Sequence, residues 1–231
     1  MADYSYHDLY MAAKQALRKV DGENAEFTAR EIVAAATDRT VSQLVADFQL
    51  TIFQRDIKRV NEMVERHLKG EPLAYILGQW EFYGLSLTVT PDVLIPRDDT
   101  EAVCDLAIHQ VKLGVQNPRV LDLCTGTGCI GLAIASKVKD ARVTLGEISP
   151  EALRIAKKNT QDNHLSGRVS CISLDVRQPA PKYLGKYDLI VSNPPYITAR
   201  QMEALDTSVR DYEPDWRCMG AWTALIFTGP L

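Results

Sequence analysis

The sequence lacks the cysteine spacing and the charge excess that mark several classes of protein. Five cysteines occur, and no two have the CxxC spacing of a zinc or dithiol site. They are Cys104, Cys124, Cys129, Cys171 and Cys218. Acidic residues number 30 against 26 basic ones, and the net charge of −4 argues against a broad nucleic-acid surface. We therefore expect reduced thiols in the core and no direct nucleic-acid partner.

Long apolar runs are also missing. No stretch approaches the ~18 apolar residues of a membrane span. The polar start, Met1-Ala2-Asp3-Tyr4, has neither the basic nor the apolar region of a signal peptide. A hydrophobic fraction of 46% over 231 residues is enough for one good core and a small second domain. The sequence predicts a cytoplasmic protein without a membrane partner.

Residues 1–76 carry only helical patterns. Apolar residues recur at helical spacing in four segments. These residues are Leu9, Ala13, Leu17 and Val20, then Ile32, Val33 and Ala36, then Val41, Leu44 and Phe48, then Ile57, Val60, Val64 and Leu68. The form Thr28-Ala29-Arg30-Glu31 predicts a capping box, Thr40 predicts a second helix cap, and Gly70 predicts the end of the fourth helix. The whole predicts a small helical bundle that forms an N-terminal domain.

The sequence from residue 77 onward predicts strands as well as helices. Residues 77–97 are apolar around Gly84 and Pro91, which predicts a β-hairpin linker. Residues 98–215 then alternate strands and helices, with strands at 119–124, 142–148, 168–175 and 187–192. Ser149 and Pro150 predict a helix start after the second of these strands. The alternation predicts an α/β fold with a parallel, doubly wound sheet.

The most informative segment is Asn193-Pro194-Pro195-Tyr196, directly after the fourth strand. Two prolines cannot continue a sheet, so the chain must turn there. In open α/β sheets, ligands bind outside the carboxyl ends of the strands. Asn193 offers one acceptor and two donors, Pro194 a carbonyl and Tyr196 a ring face. This set suits a planar group bearing an NH2, either an amide or the exocyclic amine of a base.

A second motif, Asp122–Gly128, ends the first strand and is called the glycine turn below. Gly126, Gly128 and Gly131 formally fit the G-x-G-x-x-G dinucleotide fingerprint, so NAD is one interpretation. The acidic Asp122 within the turn instead favours a positively charged ligand such as S-adenosylmethionine. Glu147, at the end of the second strand, could accept both ribose hydroxyls, and Asp175 an exocyclic amine. The alternative is that Asp122 and Asp175 only cap helices or loops.

These motifs together resemble the release factor glutamine methyltransferases. The matching segments are Gly70–Gly78, Glu81–Leu85, Leu94–Arg97 with Thr100 and Glu101, the glycine turn, Ser149-Pro150 and Asn193–Tyr196. The resemblance implies a Rossmann-like class I methyltransferase fold and transfer of a methyl group from S-adenosylmethionine to a glutamine amide. It covers about residues 1–214, most strongly from Gly70 onward. The family differs in usually having Gly at Cys124, Asp at Glu147, Pro-Glu at Asp98-Asp99 and an aromatic residue at Val176.

The resemblance also assigns roles to residues. It implies that the Asn193 side-chain oxygen and the Pro194 carbonyl accept the two amide N–H bonds, with Tyr196 against the amide plane and Pro195 beside it. The cofactor would be held by Asp122, Cys124, Thr125, Gly126, Thr127, Gly128, Glu147, Asp175, Val176 and Asn193, without a metal. Arg97 and Glu101 could contact the site from the domain junction or form an interdomain salt bridge. The implied partners are class I peptide chain release factors, and we expect a monomer.

Two other functions are compatible with the motifs. An adenine-N6 DNA methyltransferase uses a similar turn on a flipped base, but it normally has a Lys/Arg-rich recognition region, which this acidic chain lacks. The other is a cofactor-binding fragment without turnover.

The last residues, 216–231, depart from the family pattern and support the fragment interpretation. Back-translating Trp216 onward and reading from one base earlier restores the family pattern, which predicts a single-base deletion or sequencing slip after Asp215. Strands would then be missing beside the fourth strand, leaving an exposed sheet edge. We expect the tail with Leu225-Ile226-Phe227 either to cover part of this edge or to be disordered. We expect low stability and little activity from this chain.

Overall fold

The computed structural model describes residues 4–194, 212–213 and 225–228. It divides the chain into two compact units, Met1–Leu77 and Gly78–Leu231. Each unit has its own hydrophobic core.

The described residues of the first unit form helices and their connections, with one isolated antiparallel bridge between Ser5 and Thr51. Its helices are α1 (Tyr6–Asp21), α2 (Ala25–Ala36), α3 (Val41–Ala46), α4 (Gln54–Leu68) and α5 (Leu73–Leu77), with a 3-10 turn at Gly22–Asn24. The core is made by side chains that all lie below 3% exposure, namely Tyr6, Leu9, Leu17, Ala25, Ala29, Ile32, Val33, Ala36, Leu44 and Val60. Val20 and Leu68, which the helical spacing includes in the apolar stripes, are exposed at 57% and 41%.

Two predicted helix caps in this unit can be compared with the structure. Thr40 caps α3 as predicted, and it exchanges capping-box hydrogen bonds with Gln43. The capping box predicted at Thr28 is wrong. The 3-10 turn feeds directly into α2 at Ala25, so Thr28 lies inside the helix and its hydroxyl donates to the Asn24 carbonyl at 3.3 Å. A capping box bonds the unpaired N–H groups at a helix start. Inside a continuing helix, these groups already donate to carbonyls of the preceding turn, so a Thr-x-x-Glu pattern there forms no cap.

The second unit begins with a hairpin and continues as an α/β sandwich. Its elements are β1 (Gln79–Phe82), β2 (Leu85–Thr88), α6 (Asp99–Leu113), β3 (Arg119–Leu123), α7 (Cys129–Lys137), β4 (Arg142–Glu147), α8 (Pro150–Asp162), β5 (Val169–Ser173), β6 (Leu189–Ser192) and β7 (Leu225–Thr228), with a 3-10 turn at Lys182–Leu184. Ser149 caps α8 with Pro150 in its first turn, as predicted. Phe82, Leu85 and Leu87 of the hairpin belong to the main core of this unit.

The central sheet has the order β5-β4-β3-β6-β7 in the described part of the chain. β3, β4, β5 and β6 are parallel, as the α/β rhythm predicts. β7 is added antiparallel to β6, with Leu189 opposite Thr228 and Ser192 opposite Leu225. Of the two outcomes predicted for the tail, the structure therefore shows this segment covering the outer edge of β6.

The described residues contain no helix with the length and apolar character needed to cross a membrane.

Candidate active site

The site lies where the parallel strands end. β3 and β6 are in register, with Leu123 opposite Ser192, and the Ser192 hydroxyl donates to the Leu123 carbonyl at 3.0 Å. The next residues along these strands are Cys124, in the glycine turn, and Asn193. The structure therefore brings the start of the Asn-Pro-Pro-Tyr segment beside the glycine turn. Pro194 is half-buried, whereas Pro195 and Tyr196 lie outside the described residues.

The glycine turn has a left-handed backbone at three positions. The φ angles are +55° at Cys124, +54° at Gly126 and +86° at Gly128. Glycine adopts this region without steric cost, but a cysteine does not. A Cβ built on Gly126 would meet no atom within 4 Å, so this part of the turn faces open space. The backbone thus leaves room for a ligand at Gly126, and Cys124 holds a strained conformation beside it.

A third glycine is fixed by packing. Gly131 lies in α7, where a Cβ would come within 2.3 Å of Leu145 Cδ2 and 3.1 Å of Asp122 Oδ2. Only a residue without a side chain lets α7 approach β3 and β4 this closely. The formal G-x-G-x-x-G match at Gly131 is therefore a helix–sheet contact, which a dinucleotide-binding and an S-adenosylmethionine-binding turn would share.

Asp122 is the most perturbed acid of the site. It is 1% exposed, and its Oδ2 accepts hydrogen bonds from Thr125 Oγ1 at 2.6 Å and Gly131 N at 2.9 Å. Its Oδ1 is buried without a partner within the described chain. Burial raises the pKa of Asp122 to about 7, against the opposing effect of these two hydrogen bonds. Asp122 thus stabilises the turn through one oxygen and leaves the other for a cationic or hydrogen-bond donor group.

The side chain of Glu147 contacts the glycine turn at Gly126. Glu147 ends β4 and is 3% exposed. Its Oε2 accepts from Gly126 N at 3.0 Å, and its Oε1 accepts from Ile148 N at 2.9 Å and Ser149 N at 3.1 Å. Three of the four acceptor sites of this carboxylate are occupied by N–H donors, and the fourth is available to a ligand hydroxyl.

Asp175 and Val176 follow β5. Arg177 donates to both Asp175 oxygens, at 2.8 Å and 3.0 Å, and holds the pKa of Asp175 below its usual value. Val176 is 49% exposed. The Asp175 carboxylate is thus paired with Arg177, and a ligand amine would have to share it.

The thiols of this region are held in their neutral form. Burial raises the pKa of Cys124 to about 11 and that of Cys129 to about 12. A thiol, unlike a thiolate, is a poor nucleophile, so neither cysteine is suited to covalent catalysis. The described residues hold no group of three or more His, Cys, Asp or Glu side chains that could bind a metal ion.

Arg97 and Glu101 have partners within the second unit. Arg97 forms an ion pair with the buried Glu213. Glu101 accepts a hydrogen bond from the backbone N–H of Tyr83 at 3.0 Å. The prediction that they contact the site from the domain junction stays a prediction.

Sequence reasoning missed one residue that belongs to the support of the site. Asn159 of α8 is completely buried and donates to the carbonyl of Thr127 in the glycine turn at 2.9 Å. The available signal was an amide on the buried face of an amphipathic helix, three residues after the buried Ala156.

Two family models match the sequence of this chain. Residues 8–78 match the model of the PrmC N-terminal domain, and residues 104–210 match that of the methyltransferase small domain. The release factor glutamine methyltransferase of Geobacter sulfurreducens is 37% identical over 83% of this chain and 65% of its own length. That of Agrobacterium fabrum is 35% identical over 88% of this chain and 71% of its own length. The chain belongs to the release factor glutamine methyltransferase family.

The resemblance in the sequence motifs is thus confirmed, and the relatives do not favour the adenine-N6 DNA methyltransferase interpretation. The chain spans 65% of the Geobacter relative and 64% of the relative from Clostridium acetobutylicum, which is 35% identical. A solved S-adenosylmethionine-dependent methyltransferase from Agrobacterium tumefaciens has a TM-score of 0.41 and 22% identity, covering 51% of this chain and 40% of that one.

Proposed function

We propose that this protein transfers a methyl group from S-adenosylmethionine to the side-chain amide nitrogen of a glutamine in class I peptide chain release factors. The observation that carries the proposal is the β3–β6 register, which sets Asn193 beside the glycine turn. An amide-recognising group and a turn suited to a cationic cofactor then share one edge of the sheet. Membership of the family supplies the substrate class.

The residues of the turn fit S-adenosylmethionine. The free Oδ1 of Asp122 is a buried acceptor suited to a positively charged ligand. Glu147 has acceptor capacity left for a ribose hydroxyl, and Gly126 faces open space with a backbone that only glycine adopts without strain. When bound, the cofactor supplies an electrophilic methyl group on a sulfonium. Ile148 directly follows β4 and Val176 lies three residues after β5. Both are 49% exposed and offer apolar surface for a purine ring.

Asn193 and Pro194 would orient the nucleophile. An amide nitrogen is a poor nucleophile because its lone pair is delocalised into the carbonyl. The Asn193 side-chain oxygen and the Pro194 carbonyl each accept one N–H of the substrate amide, which fixes the nitrogen in line with the methyl group. The same two acceptors stabilise the positive charge that develops on the nitrogen as the N–C bond forms. Alignment of this kind can contribute about 7–11 kcal/mol.

The methylated nitrogen then loses one proton, since the product is a neutral secondary amide. One of the two N–H groups bound by Asn193 and Pro194 supplies this proton to solvent. The acidity of a protonated amide makes a strong base at the site unnecessary. Tyr196 and Pro195 would pack against the substrate amide plane.

The other assignments follow from the same proposal. The helical residues 1–76 would recognise the release factor, residues 77–97 would link them to the catalytic part at 98–215, and the protein would act as a cytoplasmic monomer. Arg97, at the end of that link, and Glu101, in the first turn of α6, would support the site from the domain junction. Residues 216–231 would be the product of a shifted reading frame.

Methyl transfer onto a purified release factor tests the proposal. The chain and a frame-restored form, with one base restored after codon 215, are incubated with labelled S-adenosylmethionine and either release factor or duplex DNA. We expect label on a glutamine of the release factor, strongest with the frame-restored chain, and none on DNA. Label on DNA, or on a release factor residue other than glutamine, would contradict the proposal. A coding sequence with an intact frame would remove the shifted-frame explanation of the tail.

A further inference from the structure

Asn159 joins the glycine turn to the hairpin. Its side chain is 0% exposed and makes three hydrogen bonds to backbone groups of two other segments. Thr88 N donates to Asn159 Oδ1 at 2.7 Å, and Asn159 Nδ2 donates to the Thr88 carbonyl at 3.1 Å and to the Thr127 carbonyl at 2.9 Å. A single amide therefore connects β2, α8 and the turn.

The contact with Thr127 matters because local sterics do not fix the backbone there. Thr127 lies between Gly126 and Gly128, and glycines have the greatest backbone freedom. The peptide unit between Thr127 and Gly128 is held at both ends: its carbonyl accepts from Asn159, and its N–H donates to the Thr125 carbonyl at 2.8 Å. Without Asn159, one of these two restraints on the peptide plane is lost.

The contact with Thr88 ties the same amide to the open end of the hairpin. Thr88 is paired with Gln79, and the following residue, Val89, donates to the Gly78 carbonyl at 3.1 Å. Gly78 is the first residue of the second unit. The hydrogen bonds of Asn159 thus link the hairpin residue Thr88, which is paired with Gln79 near the start of that unit, to the Thr127–Gly128 peptide of the glycine turn.

The chemistry of the three bonds demands a carboxamide. One acceptor and two donors are used, and all three partners are backbone groups. A carboxylate at position 159 would place an oxygen against two carbonyls. An alanine would leave the buried carbonyls of Thr88 and Thr127 without this donor, which is costly in a buried environment.

We propose that Asn159 is a positioning residue of the cofactor site, which fixes the Thr127–Gly128 peptide and couples it to the hairpin. The inference rests on the proposed function, because S-adenosylmethionine is taken as the ligand of the turn. Ordering of the turn by that ligand is then transmitted to Thr88, although Thr88 does not touch the ligand.

Asn163 provides a matched control. It is the residue that follows α8, four positions after Asn159, and its Nδ2 donates to the Ser86 carbonyl of the same hairpin strand at 2.9 Å. It also donates to the Asn159 carbonyl at 2.9 Å. Within the described part of the chain, its side chain makes no hydrogen bond to the glycine turn. Asn163→Ala therefore removes an α8–hairpin contact and leaves the restraint on Thr127 in place.

Hydrogen exchange on the unmodified chain gives the first test. The probe is S-adenosylhomocysteine, the demethylated cofactor, at saturating concentration. We expect slower exchange at the amide of Gly128 and also at the amide of Thr88, which donates to Asn159. Protection confined to the glycine turn, with Thr88 unchanged, would overturn the coupling without any variant having to fold.

The second test compares Asn159→Ala with Asn163→Ala. We expect the dissociation constant for S-adenosylhomocysteine to rise about tenfold in Asn159→Ala and less than about twofold in Asn163→Ala. In the absence of ligand, exchange at Gly128 should be faster only in Asn159→Ala. A merely structural role would lower the melting temperature of both variants and change their affinities equally, and that result would overturn the inference.

The outcomes separate the inference from the proposed function. If the unmodified chain and Asn159→Ala bind S-adenosylhomocysteine equally tightly, the proposed role of Asn159 is wrong and the proposed function is unaffected. Absence of binding by the unmodified chain contradicts both the proposed cofactor and the inference, while the hydrogen-exchange comparison of the two ligand-free variants still reports whether Asn159 orders the turn.

Discussion

The hydroxyl of Ser192 donates to the carbonyl of Leu123 at 3.0 Å, which ties the last residue of β6 to the last residue of β3. This bond lies one residue before Asn193 on one strand and one residue before Cys124 on the other. Leu123 and Ser192, the last residues of the two motifs' strands, are 69 positions apart along the chain. Their proximity is a property of the parallel sheet, and it is the geometric basis of the proposed transfer.

Asn193→Ala should abolish methyl transfer and leave cofactor binding nearly unchanged. The variant loses the side-chain acceptor that orients the substrate amide, and loss of one such group typically lowers kcat by about 100-fold or more. Radiolabel incorporation into release factor and calorimetry with S-adenosylhomocysteine measure the two effects. Gln110→Ala, an exposed position on α6 that belongs neither to the proposed recognition region nor to the site, serves as the control. Normal turnover by Asn193→Ala would show that the amide is held elsewhere.

Asp122 should make the ligand-free protein less stable as the pH rises from about 4 to 7. Burial raises the pKa of Asp122 from 3.8 to about 7, so the folded state retains a proton that the unfolded chain releases in this range. Stability is highest below the unfolded value, falls up to the folded value and is constant above it. A shift of this size corresponds to a loss on the order of 4 kcal/mol.

Denaturant unfolding of the wild type and Asp122→Asn across that pH range measures the effect. The asparagine keeps an oxygen for Thr125 and Gly131 and cannot ionise. The difference between their free energies of unfolding should therefore change with pH only below about 7. Parallel curves would mean that Asp122 is ionised in the folded protein throughout.

Gly131→Ala should destabilise the protein even though alanine favours helices. The new Cβ would lie 2.3 Å from Leu145 Cδ2, and overpacking of this kind costs about 1–3 kcal/mol, more than the ~1 kcal/mol gained in helix propensity. Ser136→Ala in the same helix is the control and should change stability by less than about 0.5 kcal/mol. Adding Leu145→Val should restore part of the loss. A Gly131→Ala variant that is more stable than the wild type would show that α7 can move away from β4.

Removal of residues 225–231 should promote association. This deletion takes away β7 and exposes the outer backbone edge of β6, which can pair with another chain. Light scattering and size-exclusion chromatography measure the effect at several concentrations. Removal of only residues 229–231 retains β7 and should leave the protein unchanged. Equal behaviour of the two deletions would show that β7 does not protect the edge.

The parts of the structure that the sequence predicts well are those with local causes. The cap at Thr40, the cap at Ser149 and the alternation from β3 to β6 each follow from side chains close in sequence. The false capping box at Thr28 arose because the same pattern is also compatible with a helix interior when a 3-10 turn precedes it.

Other features have no local cause. β7 is found only by its pairing with β6, across a long stretch of chain, and no periodicity within Leu225–Thr228 specifies that partner. The pairing of Asp175 with Arg177 and the cage of N–H groups around Glu147 depend on side-chain geometry at strand ends. Asn159 appears in the sequence as an ordinary helix residue, and its partners Thr88 and Thr127 are reached only in the folded chain. Sequence reasoning therefore predicted that the two motifs lie at the same edge of the sheet, but not the hydrogen bonds that hold the residues there.

The antiparallel pairing of β7 bears on how much sequence change this sheet tolerates in the strand next to β6. Ladder hydrogen bonds join backbone groups only, so the partner strand needs suitable length and β propensity and no particular sequence. Leu225–Thr228, which belongs to a segment unlike the family pattern, meets that requirement with four residues. The border of the sheet next to β6 is thus a permissive position, at which different sequences can supply the partner strand while the strand that leads into Asn193 keeps neighbours on both sides.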